Sequence, residues 1–287
     1  MELYIFQALM GALMFGIGAV FFKWLAHIHG DDSIFFTALY GSGAVCFFID
    51  GYDAVPQFGG AEYYISGLLI GLGAAGGNYF FSRGLRHGPA GLTSAFAKAN
   101  IIIVILLSAV YYREPLILTE IIGILFFLLA MLVVNLKIGK AKKAVSSIWF
   151  FIMVASMVLL AFRNGGLKIV NEIGIDSMLV MALAYFICTI IFALGIIKNK
   201  KNQLSEKAPA KKVALMGLAT GIASYVGLFF YITALESGPA SVVVTIFSLD
   251  MLFLLVISYL FFGERLSLNQ KVGFILSAIG FLLLGLK

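Results

Sequence analysis

Apolar residues fall in ten long runs, near residues 3–24, 33–50, 62–82, 89–112, 116–136, 147–167, 177–197, 213–235, 239–262 and 267–286. Each approaches the ~20 residues that carry a helix across a hydrocarbon core about 30 Å thick. None alternates with a period of two, as lipid-facing barrel strands do. Inside lipid every backbone N–H and C=O needs an internal partner, so the pattern predicts ten transmembrane helices. Two tight connections, HGPAG at 87–91 and SGPAS at 237–241, place proline in the first turn of the next helix, where its missing N–H costs nothing. Only 137–146 and 198–212 are long and polar, and neither can form a soluble domain.

Composition removes the alternatives. The chain is 62% hydrophobic and 12% charged, against ~25% charged in soluble domains, and its mean hydropathy is +1.05. A soluble enzyme, a disordered chain and a nucleic-acid-binding protein are excluded. Met1-Glu2 supplies no basic flank, so the first run reads as a span and not as a cleaved signal peptide. Cys46 and Cys188 lie in apolar runs without metal-ligand spacing and read as packing residues.

Charge sets the orientation. With ten spans both termini lie on one side. Of the 20 Lys and Arg residues, 15 fall on the opposite side, three on the terminal side (Arg113, Lys168, Lys287) and two within spans (Lys98, Arg163). The positive-inside rule then places the termini outside and the basic loops 137–146 and 198–212 in the cytoplasm.

The chain repeats itself. Residues 67–137 align with 217–287 at a shift of 150 without a gap, with 17 of 71 positions identical. GLLIG meets GLATG, GPA (88–90) meets GPA (238–240), and YREPLIL (112–118) meets FGERLSL (262–268). Two five-helix units follow: residues 1–137 and 147–287, joined by a basic linker at 138–146. Five is odd, so the second unit enters the membrane from the other side. Inverted repeats of this kind are a transporter architecture, with the solute site near mid-membrane between the halves. The expected fold is an all-α integral membrane protein, ten helices in two inverted five-helix repeats around a central cavity.

These features resemble the EamA domains of the drug/metabolite transporter superfamily. Each half has a GPA turn before its fourth span and an acidic turn into a Gly-containing fifth span, Glu114-Pro115-Leu116 and Glu264-Arg265-Leu266. The resemblance covers essentially the whole chain and implies transport of amino acids, sugars, nucleotide sugars, drugs or other metabolites. Two departures stand out. Arg113-Glu114-Pro115 replaces the more typical Gly263-Glu264-Arg265 pattern, and the 51–61 loop is acidic or neutral where many relatives are basic, in keeping with outside termini.

Ionisable groups at mid-membrane cost ~2.5–3.5 kcal/mol on insertion scales, so each is a functional candidate. Lys98 lies about 14 Å beyond Pro89, with Ser94 one turn earlier on its face. It is expected to face water and bind an anionic group; the alternative is a buried pair with Asp250. Asp250 is equally central and matches Asn100 at the 150 shift. These two are candidates for coupling or for joining helices. Arg163, near the outer end of the sixth run, either grips a carboxylate or snorkels outward. Asn78, Tyr225, Thr245 and Ser248 complete the candidate solute-binding set. The GxxxG faces at Gly67/Gly71, Gly73/Gly77 and Gly217/Gly221 are expected to pack helices closely.

No P-loop, HExxH or acid/His cluster falls in a span, so no enzyme activity, cofactor or metal is expected. The function expected is a secondary transporter or facilitator in the cytoplasmic membrane. It moves a small polar metabolite, an amino acid or organic anion for preference, by alternating access. An exporter of amphiphilic drugs and a sugar or nucleoside permease are the alternatives; a channel and a membrane enzyme fit less. The partners are a small-molecule solute and the lipid bilayer, with no nucleic acid. A monomer suffices, and a dimer is compatible.

Overall fold

The computed structural model describes residues 3–87, 93–94, 97–98, 100–111, 113, 118–135, 147–199, 208–247, 249–262 and 268–284. The linker at 138–146, most of the 198–212 loop, the turns at 88–92, 114–117 and 263–267, and Ser248 lie outside the described residues.

Among the described residues there is no strand. The helices are α1 (Leu3–His27), α2 (Asp32–Asp50), α3 (Ala61–His87), α4 (Asn100–Val110), α5 (Leu118–Asn135), α6 (Ser147–Glu172), α7 (Ser177–Asn199), α8 (Ala210–Ser237), α9 (Ala240–Phe247), α10 (Asp250–Phe262) and α11 (Leu268–Leu284). A 3₁₀ turn, Tyr52–Gln57, follows α2. Among the described residues five helices are long and apolar enough to cross a membrane: α1, α2, and the stretches Ile148–Glu172, Ser177–Ile197 and Ala210–Ser237. Shorter apolar helices accompany them.

One expected run is interrupted. The pattern predicts an unbroken helix over 239–262, but α9 stops at Phe247, Leu249 sits in a turn, and α10 starts at Asp250. The amide of Leu249 reaches back only to the Ile246 carbonyl, a tight three-residue closure. The break leaves Asp250 in the first turn of α10, where the positive end of the helix dipole favours a carboxylate.

The packing repeats, in a way that sequence alignment only half reveals. α1 lies along α8 as α3 lies along α6, and α2 lies on α8 as α7 lies on α3. α2 also packs on its own counterpart α7, and α5 on α11. Single contacts follow suit. Gly77 meets Leu160 and Gly227 meets Phe15; Asp31 caps α2 by accepting from Ser33 N at 2.8 Å, and Asp176 accepts from Leu179 N at 2.7 Å in the first turn of α7. Residues of α3 correspond to those 150 positions on, but residues of α1 and α2 to those 145 on. That change of offset hides the first two helices from an ungapped comparison.

Tyr40 and Tyr185 correspond under this rule and touch edge to face, with ring centroids 4.9 Å apart. Tyr40 OH donates to the Ala74 carbonyl at 2.8 Å, and Tyr185 OH lies 2.7 Å from Ser224 Oγ. Residues 74 and 224 are 150 apart. The two tyrosines therefore mark the centre of the relation between the halves.

Glycine permits the closest approaches. A Cβ on Gly71 would meet the Ala184 carbonyl oxygen, and one on Gly221 the Leu39 carbonyl oxygen. Ala184 and Leu39 are also counterparts, so the same backbone contact is made twice. Gly71→Ala and Gly221→Ala should each lower the melting temperature of the purified protein in detergent, through overpacking worth about 1–3 kcal/mol. Gly41→Ala, where the added carbon sits 3.7 Å from Thr189 Cγ2, should leave it unchanged or raise it. Equal effects at all three positions would remove backbone approach as the explanation.

Candidate functional site

Helices from both halves enclose a cavity of about 60 Å³ in which charged and polar groups face apolar walls. Asn78, Ser94, Lys98, Arg163, Ser224 and Asp250 supply polar and charged lining, and Thr220 adds a buried hydroxyl. Phe15, Phe22, Phe81, Leu39, Leu160 and Leu254 form the apolar walls. Asn78 sits about 14 Å from the His87 end of α3, and Thr220 about 15 Å from the Ala210 end of α8, at 1.5 Å per residue. Both lie close to the middle of a ~30 Å apolar layer.

Lys98 Nζ lies 2.5 Å from Asp250 Oδ2. The side chains are 16% and 4% exposed, so the pair is screened little by solvent. Lys98 comes from the first half and Asp250 from the second, so the pair spans the cavity between them. The two alternatives weighed for Lys98 are thus both present: it lines the cavity, and it is paired. Its ammonium also lies 6.0 Å from the Phe15 ring centre and 5.9 Å from that of Phe247.

Arg163 does not snorkel. It is 3% exposed, with its guanidinium 5.3 Å from the Phe15 ring centre. Its Nε donates to Asn164 Oδ1 at 2.9 Å. The reason is length: α6 continues to Glu172, past the end of the expected run, which leaves Arg163 about 14 Å from the helix terminus. Asn164 in turn donates to Asn100 Oδ1 at 2.9 Å, and Asn100 Nδ2 donates to the Ala97 carbonyl at 2.6 Å. Asn100 therefore joins helices and does not line the cavity.

The remaining candidates divide. Asn78 lines the cavity and donates to Tyr40 OH at 3.0 Å. Ser94 lines it with a buried hydroxyl that has no hydrogen-bond partner. Tyr225 turns elsewhere, its ring 5.0 Å from that of Phe47, while its neighbour Ser224 lines the space. Thr245 is fully buried outside the lining, and Ser248 lies outside the described residues. Thr220 and Gly18 were not anticipated. In sequence each is one more small residue in an apolar run, with no signal to single it out.

Two layers bound the cavity. Toward the Lys-rich side Phe22 meets Phe81 with ring centroids 5.7 Å apart. Beyond them Asp32 accepts from Arg86 at 2.8 Å and from Ser82 at 2.9 Å, and Arg86 also donates to the Gly30 carbonyl at 2.8 Å. Toward the other side Phe247 packs on Phe15 at 4.7 Å and on Tyr231 at 4.5 Å. Among the described residues no cluster of three metal-ligating side chains occurs.

Removing one partner of a buried pair costs about 3–5 kcal/mol, because the other charge remains in an apolar site. Lys98→Met should destabilise the purified protein by that order in thermal or denaturant unfolding. Lys98→Met combined with Asp250→Leu should recover most of the loss. A double variant as unstable as the sum of the two single ones would show that the residues do not act as a pair.

The EamA-like transporter family matches the chain twice, over residues 2–136 and 147–286. A solved structure described only as "Crystal structure of protein" is similar with a TM-score of 0.74, covering 98% of this chain and 94% of that one at 14% identity. At that identity the likeness speaks for the fold alone. No curated protein matches. Two family matches over nearly the full length, with five membrane-length helices and no strand among the described residues, make this a multi-pass membrane protein that belongs to the EamA-like transporter family.

Proposed function

We propose that the chain is a secondary transporter that moves a small polar metabolite across the cytoplasmic membrane by alternating access. Its two units, residues 1–137 and 147–287 with the basic linker 138–146 between them, form inverted five-helix repeats, ten spans in all. The termini face outward and the basic loops inward. The observation that carries this reading is the position of the cavity: polar, charged, at mid-depth, and built from both halves.

The packing relation supports the inversion. A rotation that exchanges α1 with α6 and α3 with α8 keeps every major contact. One such molecule has two equivalent ways of opening, one toward each side. In the form described here the Lys-rich side is closed by Phe22 on Phe81 and by the Asp32–Arg86 pair. Opening that side requires parting α1 and α2 from α3. Aromatic layers on both sides of the cavity argue for a carrier over a continuously open pore.

Cross-linking tests the mechanism. Asp32→Cys and Ser82→Cys are introduced together in a chain whose Cys46 and Cys188 are replaced by alanine. The protein is reconstituted in liposomes and assayed for counterflow of labelled amino acids, organic acids and sugars. A short thiol-specific cross-linker should abolish saturable counterflow, and reductant should restore it. Undiminished flux through the cross-linked protein, or no saturable flux of any solute by the uncross-linked one, would end the alternating-access reading.

A further inference from the structure

The charges around the cavity do not balance. Among the described residues the ionisable side chains in its lining are Lys98, Asp250 and Arg163. Lys98 and Asp250 are matched to each other at 2.5 Å. Arg163 has no carboxylate partner among the described residues. Its one hydrogen bond among the described residues uses Nε, on the neutral amide of Asn164, and none there uses the terminal nitrogens of the fork. Guanidinium does not lose its proton in proteins, so neutralisation by deprotonation is not available. The Phe15 ring face offsets part of the cost of burying it but gives the N–H groups no acceptor. A buried charge gains most from an acceptor of opposite charge, and this guanidinium, in a residue 3% exposed, lines a space a ligand can enter. A second polar group nearby is also unused: Ser94 Oγ, in a residue 2% exposed, lines the same space without a hydrogen-bond partner among the described residues.

From this we infer that the substrate is a monoanion with an apolar body, its carboxylate held by the terminal nitrogens of Arg163 and its remaining polar contact made by Ser94. The inference rests on the reading of the cavity as the transport site. A planar carboxylate matches the guanidinium fork in a way a sugar hydroxyl or an amide does not. The apolar body is set by Phe15, Phe22, Leu39 and Leu160. A zwitterion fits less well, because its ammonium group would have to share Asp250, the one acid among the described lining residues, with Lys98. A dianion fits less well because only one cation is unmatched.

The arrangement is also one-sided. Under the correspondence between the halves, Arg163 of α6 answers to Gly18 of α1, which lines the cavity as well. The carboxylate therefore binds off the centre line, against α6. The body lies along α1, where glycine leaves open the space an arginine takes in the other half.

A matched series separates these features. The purified full chain in detergent is titrated with 4-methylpentanoate, with its neutral amide 4-methylpentanamide, and with leucine, which adds an ammonium group. Binding is read as ligand-dependent thermal stabilisation and by calorimetry. The acid should stabilise the protein saturably, the amide should not, and leucine should bind more weakly than the acid. Arg163→Gln should weaken acid binding at least ~10-fold, the scale of a lost charge-assisted hydrogen bond, and Arg163→Lys should fall between. Equal binding of acid and amide, unchanged acid affinity in Arg163→Gln, or no binding of the acid at millimolar concentration would each overturn the carboxylate assignment. The acid–amide comparison uses the unaltered chain, so it decides the matter even if Arg163→Gln does not fold. None of these outcomes bears on the cross-linking experiment. A carrier of neutral solutes would pass that one and fail this one.

Discussion

An apolar side chain gains little by leaving lipid for an equally apolar protein interior, so helices in a membrane need another reason to stay together. Here the reason is close backbone approach. Gly71 against the Ala184 carbonyl and Gly221 against the Leu39 carbonyl let α3 and α8 settle on α7 and α2 at a distance no side chain would allow. Dispersion over such contacts is small for each atom pair and large in sum. Because the contact is made twice, the two halves are held by the same device on either side of the Tyr40–Tyr185 centre.

Polar groups then decide what that space can do. The break at Leu249 puts Asp250 at a helix start in the middle of the protein. An uninterrupted helix would have left its carboxylate without the dipole. Lys98, from the other half, completes the neutralisation. Asn100, the counterpart of Asp250, has instead gone to a purely helix-joining role with Asn164. Two positions related by duplication have thus taken different tasks, one at the cavity and one behind it.

Much of the architecture was legible in the sequence because its cause is one-dimensional. Apolar length marks membrane helices, and the GPA and acidic turns repeat at a fixed spacing. The site was legible in part. Lys98, Asp250 and Asn78 announced themselves as polar residues in apolar runs. Arg163 did too, but its depth depended on where α6 ends, which hydropathy does not locate. Tyr225 was drawn in by residue type, and its direction depends on the rotation of α8, where Ser224 faces the cavity instead. The α9–α10 break carries no proline or glycine to betray it. The five-residue change of offset between α2 and α3 concealed the match of α1 and α2 to α6 and α7.

The unmatched Arg163 charge also has an electrical side. An empty site carries one positive charge in excess, and a site holding a monoanion carries none. The membrane potential acts on a moving charge with ~2.3 kcal/mol per 100 mV for a full traverse. On this balance, if the protein alternates as proposed, its loaded form would reorient indifferent to voltage and its empty form would feel the field. In a carrier of the kind proposed, a negative interior would draw the empty site toward that side, and the electric field itself would bias where the protein waits for its next passenger.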